Sequence, residues 1–512
     1  MSPLDSWVLL HLASTPFVML ALRALERACA SVAIAGLVFG ASGCAEGSST
    51  APSIVLHDCQ LTGLPTEARC GTLTVFEDRM ARRGRTLPLH VAVVPALAAQ
   101  PAPDPLFILV GGPGQAATVS GAPIVGVLHE VRKRRDIVLV DQRGTGRSGP
   151  LECPDPDDSL QGLFSDQIRL EDVERCLRGL EGDPRYYTTP LAMDDLDDVR
   201  QALGYERINL WGASYGTRAA LVYLRRHRQH VRRVILDGPV PTDVKLPLHA
   251  GRDAQRALDL LLADCRAEPQ CSKRFPQLAE RLALLFRRLD AAQGQHPLRV
   301  LHPRTGKPVA LRMSRDGFAS ALRLLLYSPL LSALVPLAIE EALDDNFAPF
   351  VAAVSAIADR AQEDLQDGMY LSIVCSEDVP RILPAEAAAL TRGNFLGPSA
   401  VETIQQACAK WPAATLPERY FEPVIEDAPT LVLSGNLDPV VPPQWGDLVA
   451  RRLPNARHIV VEGVGHGVTG TPCLPELIAS FLNAEAPLKL DVPCSPAVRR
   501  PPFFTSLTGA SP

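Results

Sequence analysis

The 512-residue chain is 46% hydrophobic and 21% charged, a globular composition that excludes a disordered or fibrous protein. Its formal net charge of -6 gives no electrostatic ground for nucleic-acid binding, which needs a concentrated basic face. The length accommodates two or three domains or one elaborated domain, and 46 prolines imply long, stiff connections between elements.

Residues 1–44 read as an export signal. An apolar run, CASVAIAGLVFGASGC (Cys29 to Cys44), follows Arg23 and Arg27 and ends in small residues. It is too short to serve as a permanent membrane span. Ala41-Ser42-Gly43-Cys44 resembles a bacterial lipoprotein cleavage box, although Ala41 stands where Leu, Val or Ile is usual. Two outcomes stay open, lipidation at Cys44 or cleavage and release, and initiation at Met19 would give a tidier signal. A bacterial location outside the cytoplasm is expected: periplasmic, cell-envelope lipoprotein or secreted. Ten cysteines remain beyond the signal, and an even count in an exported chain suggests disulfides. They fall into consecutive couples: Cys59 with Cys70, Cys153 with Cys176, Cys265 with Cys271, Cys375 with Cys408 and Cys473 with Cys494. Sequence alone does not fix that connectivity. Metal-type spacing is missing, for no C-x-x-C pair and no H-E-x-x-H occurs.

From residue 50 to 240 the pattern alternates between strands and helices. TLTVF and LPLHVAVV predict an opening antiparallel pair. PLFILV, DIVLV, RINLW and RRVILDG are continuous apolar runs bounded by turn residues, as expected of buried parallel strands. TPLAMDDLDDVRQALG predicts a helix capped by Thr189, with Pro190 in its first turn, an apolar stripe at Leu196, Val199 and Leu203, and Gly204 as its stop. Asp194, Asp195, Asp197 and Asp198 read as its acidic N-terminal end and solvated face. The spacing then breaks: about 190 residues separate Asp237 from Pro429, where a crossover needs roughly a dozen. Residues 241–425 read as an inserted, mainly helical cap domain. The core resumes at 426–485 with PTLVLSG and ARHIVVEG, and 486–512 form a Pro-rich tail. Alternation of this kind predicts a mostly parallel α/β sheet flanked by helices.

Ser214 stands in G-x-S-x-G, between Gly212 and Gly216, directly after a strand and before a helical segment. A sharp turn there would expose its hydroxyl at a helix N-terminus. A serine needs a base and an orienting acid, and in the α/β-hydrolase order the acid and then the histidine follow it. Asp438 and His466 meet that order, each in a turn after a predicted strand, 28 residues apart. Asp237, also at a strand end, competes for the acid role, although its Gly-Pro sequel favours a structural turn. His458, inside a strand, reads as structural, and His227 and His230 suit a helix C-terminus. The oxyanion needs backbone N–H donors, which Tyr215 and Gly112 of the GGPG turn can supply. Gly144, Gly146 and Gly149 spell a dinucleotide-binding turn. The sequel PLECPDPDDS, rich in proline and acid, opens no helix toward a phosphate, so the stretch reads as a turn braced by Asp141 and Arg143.

GGPG (111–114), DQRGTGRS (141–148), GASYGT (212–217), Asp438 and His466 together resemble the S33 peptidase family of α/β hydrolases, which includes proline iminopeptidases and tripeptidyl aminopeptidases. YTTPLAMDDLDDVRQALGY ahead of the serine turn, CSED (375–378) and CAKW (408–411) resemble the secreted tripeptidyl aminopeptidase branch. The likeness runs from about Cys59 to about Leu482 and is weakest in the insertion. It departs at Val110, where proline iminopeptidases usually carry His. The resemblance implies an α/β-hydrolase fold, a serine exopeptidase acting on peptides with a free N-terminus, and no cofactor or metal. It also implies that acids of the cap, Glu377 and Asp378, hold the substrate's α-ammonium group, against a plain reading of a solvated acidic turn or a local cap interaction. The same triad would serve an esterase or amidase on small acyl substrates. A non-catalytic binder on this scaffold would have no need to keep Ser, Asp and His together.

Overall fold

The structure is a computed structural model that describes residues 53–153, 160–164, 169–362, 365–490 and 499–508. The expected export segment and Cys44 lie outside these residues. Among them, a nine-stranded sheet forms the centre. β1 (His57–Cys59), β2 (Ala68–Phe76) and β3 (Thr86–Val94) make an antiparallel edge. β3 then pairs antiparallel with β5 (Ile137–Val140), which lies beside β4 (Leu106–Leu109). Beyond β4 run β6 (Ile208–Ala213), β7 (Val231–Asp237), β10 (Thr430–Gly435) and β11 (Ala456–Val461), all parallel. The chain therefore reverses its direction of growth at β4, which has β5 on one side and β6 on the other. In open α/β sheets ligands gather at the strand C-termini beside such a switch.

The continuous apolar runs are buried on both faces, because alternate residues point to opposite sides. Phe107, Leu109, Val140, Leu210 and Leu236 pack on one face with Tyr223 and Leu224 of a helix. Leu106, Ile108, Leu139, Trp211 and Ile235 pack on the other with Leu474, Ile478 and Leu482. The helices that matter for the site are α1 (Thr189–Ala202), α2 (Tyr215–Arg226), α3 (Ala250–Ala267), α4 (Arg315–Leu325), α5 (Asp367–Glu377) and α6 (Ser399–Cys408). The last four belong to the segment between β7 and β10, which builds an apolar cluster of its own around Leu258, Leu285, Phe318, Leu322 and Phe350. That segment also holds an antiparallel hairpin, β8 (His296–Leu301) and β9 (Pro308–Met313), which the helical reading omits.

Two sequence expectations change. The N-cap of α1 is Thr188, not Thr189. The acids of α1 are paired rather than solvated. Asp195 is 2% exposed and bound by Arg143 at 2.6 and 2.8 Å and by Arg79 at 2.6 Å, while Asp194 meets Arg226 and Asp197 meets Arg200. In the C-terminal tail, Phe503 is buried in the cluster of the inserted segment and Arg500 binds Asp264.

The disulfides Cys59–Cys70, Cys153–Cys176, Cys265–Cys271 and Cys375–Cys408 are present. Cys473 is also disulfide-bonded, and Cys494 lies outside the described residues. Among the described residues no helix is long and apolar enough to cross a membrane.

Candidate active site

Ser214 occupies the sharp turn between β6 and α2, with φ 55° and ψ -125°. A non-glycine residue in this conformation carries roughly 1–3 kcal/mol of strain that its surroundings must offset. Its own N–H donates to the Asp237 carbonyl at 2.9 Å, and the flanking glycines admit the neighbouring backbone. A Cβ at Gly216 would stand 2.1 Å from the Leu109 carbonyl oxygen. Any side chain there would push β4 away from α2.

His466 follows β11, and its backbone N–H donates to the Tyr327 carbonyl at 3.1 Å. Its Nδ1 lies 2.8 Å from Asp438 Oδ2. Asp438 Oδ1 accepts from the N–H groups of Val440 and Val441 at 2.7 and 2.9 Å. A carboxylate can only accept here, so Nδ1 carries the proton and Nε2 is left as the acceptor. Burial pushes the Asp438 carboxyl up, but the charge and hydrogen bond of His466 and the two N–H donors outweigh it and hold it ionised, below its ordinary range. For His466, burial opposes the charged form, yet Asp438 prevails and raises the imidazole above its ordinary value.

Asp237 holds the histidine's loop instead of competing for its ring. It accepts from Val468 N, Thr469 N and Thr469 Oγ1 at 2.7–3.0 Å. His458 is bound to Asp447 and Ser434, and His227 to Asp194.

Ser214, Tyr215, His466, Gly111 and Gly112 line one cavity of about 640 Å³. Gly112 has φ +101°, and a Cβ there would lie 2.7 Å from Gly114 N, so the turn that brings this backbone beside Ser214 requires glycine. The rest of the lining is largely apolar and aromatic and comes mainly from the inserted segment, with Val244, Leu246, Tyr370 and Ile404 among the residues.

Glu377 and Asp378 are not in this lining, which corrects the expectation that they hold a substrate group. Both are fully buried. Glu377 accepts from Thr189 N at 2.7 Å, from Thr189 Oγ1 at 2.9 Å and from the Tyr420 hydroxyl. Asp378 is paired twice with Arg218 of α2, at 3.0 and 2.9 Å. Neither is a solvated turn; they bolt α5 to the nucleophile's helix and to α1.

The carboxylate that does line the cavity is Asp253 of α3. Trp445 Nε1 donates to its Oδ2 at 2.8 Å, and Arg252 and Gln444 donate to Oδ1. Burial raises its pKa against these partners, and the negative charge of Asp438 adds to the rise. His249 beside it is pushed down to about 4 by burial and by Arg252, and stays neutral. No sequence motif marks Asp253, since it is one acid on an amphipathic helix.

The GTGRSG turn after β5 is a brace. Asp141 accepts from Thr118 and Arg147, and Arg143 donates to Asp195 and to the carbonyls of Glu77 and Tyr186. Pro150 to Cys153, just after Gly149, form no helix.

A serine on a strained strand-to-helix turn, backed by a His–Asp pair at the C-terminal ends of a mostly parallel sheet, defines a hydrolase of the α/β class. Comparison with known proteins agrees. Residues 104–310 match the family described as alpha/beta hydrolase fold, and residues 394–494 match that of TAP-like protein. The chain has the α/β-hydrolase fold, and its C-terminal region is similar to TAP-like protein. It is 26% identical over 487 residues to the tripeptidyl aminopeptidase of Streptomyces coelicolor, covering 87% of this chain and 86% of that protein. It is 25% identical over 459 residues to the serine protease Hip1 of Mycobacterium tuberculosis, covering 82% and 86%. Among solved structures, the proline iminopeptidase of Mycobacterium smegmatis aligns at 17% identity and a TM-score of 0.41, covering 80% of this chain and 97% of that one.

Proposed function

We propose that the protein is an exported serine exopeptidase that releases single residues or short peptides, tripeptides among them, from the N-terminus of peptide substrates. The observation that carries this reading is the meeting of Ser214, the Asp438–His466 pair and the two candidate oxyanion donors around one cavity, in a chain whose relatives are named peptidases. His466 Nε2 takes the proton of Ser214, whose Oγ attacks the scissile carbonyl. The N–H groups of Gly112 and Tyr215 receive the oxyanion. His466 then protonates the leaving amine, an acyl-enzyme remains, and water activated by the same histidine releases the N-terminal product.

An exopeptidase must recognise an α-ammonium group, and Asp253 is the one carboxylate among the described lining residues. We assign it that role in place of Glu377 and Asp378. The test compares tripeptidyl arylamides with free and acetylated N-termini. Wild-type kcat/KM is expected to favour the free amine by about 100-fold, and Asp253→Asn to raise KM on it by about 10-fold or more. Equal rates on blocked substrates would overturn the exopeptidase reading, and faster turnover of simple acyl esters would favour an esterase.

A further inference from the structure

The cavity also contains a cation with no carboxylate partner among the described residues. Arg323 of α4 lines it together with Ser214 and His466. Its guanidinium carbon lies 5.6 Å from the centroid of the Tyr327 ring, and that ring meets His466 edge-on at 5.2 Å and 72°. The cation is thus held beside the catalytic base, and its charge opposes protonation of His466. Elsewhere in the protein, the fully buried Arg143 and Arg218 each face a carboxylate, Asp195 and Asp378, and also donate to backbone carbonyls. Arg323, like Arg218, has a buried Nε with no hydrogen-bond partner, but it differs in having no carboxylate within ion-pair distance among the described residues. A guanidinium offers five donors in a planar fork that matches a carboxylate. Leaving such donors unmet inside a substrate cavity is costly unless the substrate meets them.

We propose that Arg323 binds a substrate carboxylate, so that the enzyme prefers peptides presenting an acidic group near the scissile bond. This rests on the peptidase reading above. The carboxylate could be an Asp or Glu side chain, or the free C-terminus of a short peptide, and the two sources separate experimentally.

The test uses matched pairs on the full-length mature protein. One arm compares Glu with Gln at each position of free-amine tripeptidyl arylamides, and the other compares short peptide acids with their C-terminal amides. In at least one arm wild-type kcat/KM favours the carboxylate member by about 10-fold or more, a typical effect of one charge-assisted pair. The arm that responds identifies the source. Arg323→Met brings that ratio to about 1, and Arg323→Glu inverts it. A wild-type ratio near 1 in both arms, or a ratio that survives in Arg323→Met, overturns the proposal. The wild-type ratio decides even if the variants fail to fold. If no arylamide or peptide is cleaved, the peptidase reading falls by itself. The Arg323 assignment is then read on p-nitrophenyl succinate against p-nitrophenyl succinamate, with the same expected and contrary outcomes.

Discussion

His466 sits between opposed influences. Burial favours the neutral ring and Asp438 favours the imidazolium, with Asp438 the stronger. A general base must be neutral to accept a proton, so activity falls as pH drops through the His466 pKa. Because that value is raised, the acid limb of kcat/KM is expected above 6.5, the ordinary histidine value. Asp438→Asn removes both the charge and the tautomer control. It should lower kcat by about 10⁴-fold and move the limb downward; a limb that stays in place would mean that Asp438 does not face the working base. Ser214, Asp438 and His466 were legible in the sequence because each sits in a turn just after an apolar strand, a local pattern. Asp253 and Arg323 were not. Each is a single charge on an amphipathic helix, and only the packing of the inserted segment over the sheet turns it toward the cavity. Glu377 and Asp378 misled for the converse reason: adjacent acids look exposed until Arg218, Thr189 and Tyr420 are found around them.

At the scale of elements, the contact between α5 and α2 is an ionic and hydrogen-bonded joint. Tyr215, whose N–H is a proposed oxyanion donor, places its hydroxyl 2.7 Å from Thr189 Oγ1, which donates to Glu377. The Cys375–Cys408 bond ties α5 to α6 two residues before that carboxyl. Burial pushes the Glu377 carboxyl up to about 7, against Arg218 and Tyr420. The folded protein therefore binds a proton that the unfolded chain releases near 4.5. Its contribution to stability is full below 4.5 and is lost as pH rises to about 7. Glu377→Gln abolishes this loss, so between pH 5 and 7.5 the Tm of the wild type should fall by roughly 2 °C or more relative to the variant. Parallel Tm profiles would show that Glu377 does not titrate in this window.

For the molecule as a whole, the central sheet was legible because buried parallel strands are continuous apolar runs and their turns carry glycine and proline. Edge features were not: β1 is three residues long, and the β8–β9 hairpin alternates within a segment dominated by helical periods. The sheet brings Ser214, Asp438 and His466 together from chain positions up to 252 residues apart, and the inserted segment roofs them with a largely apolar lining that carries Asp253 and Arg323. The proposed hydrolysis depends on Ser214 as the nucleophile, and covalent labelling tests that directly. A fluorophosphonate should modify Ser214, located by peptide mass spectrometry, with loss of arylamide hydrolysis in step with labelling, and Ser214→Ala should be inert to both. Hydrolysis that persists in Ser214→Ala, or in fully labelled enzyme, would contradict it.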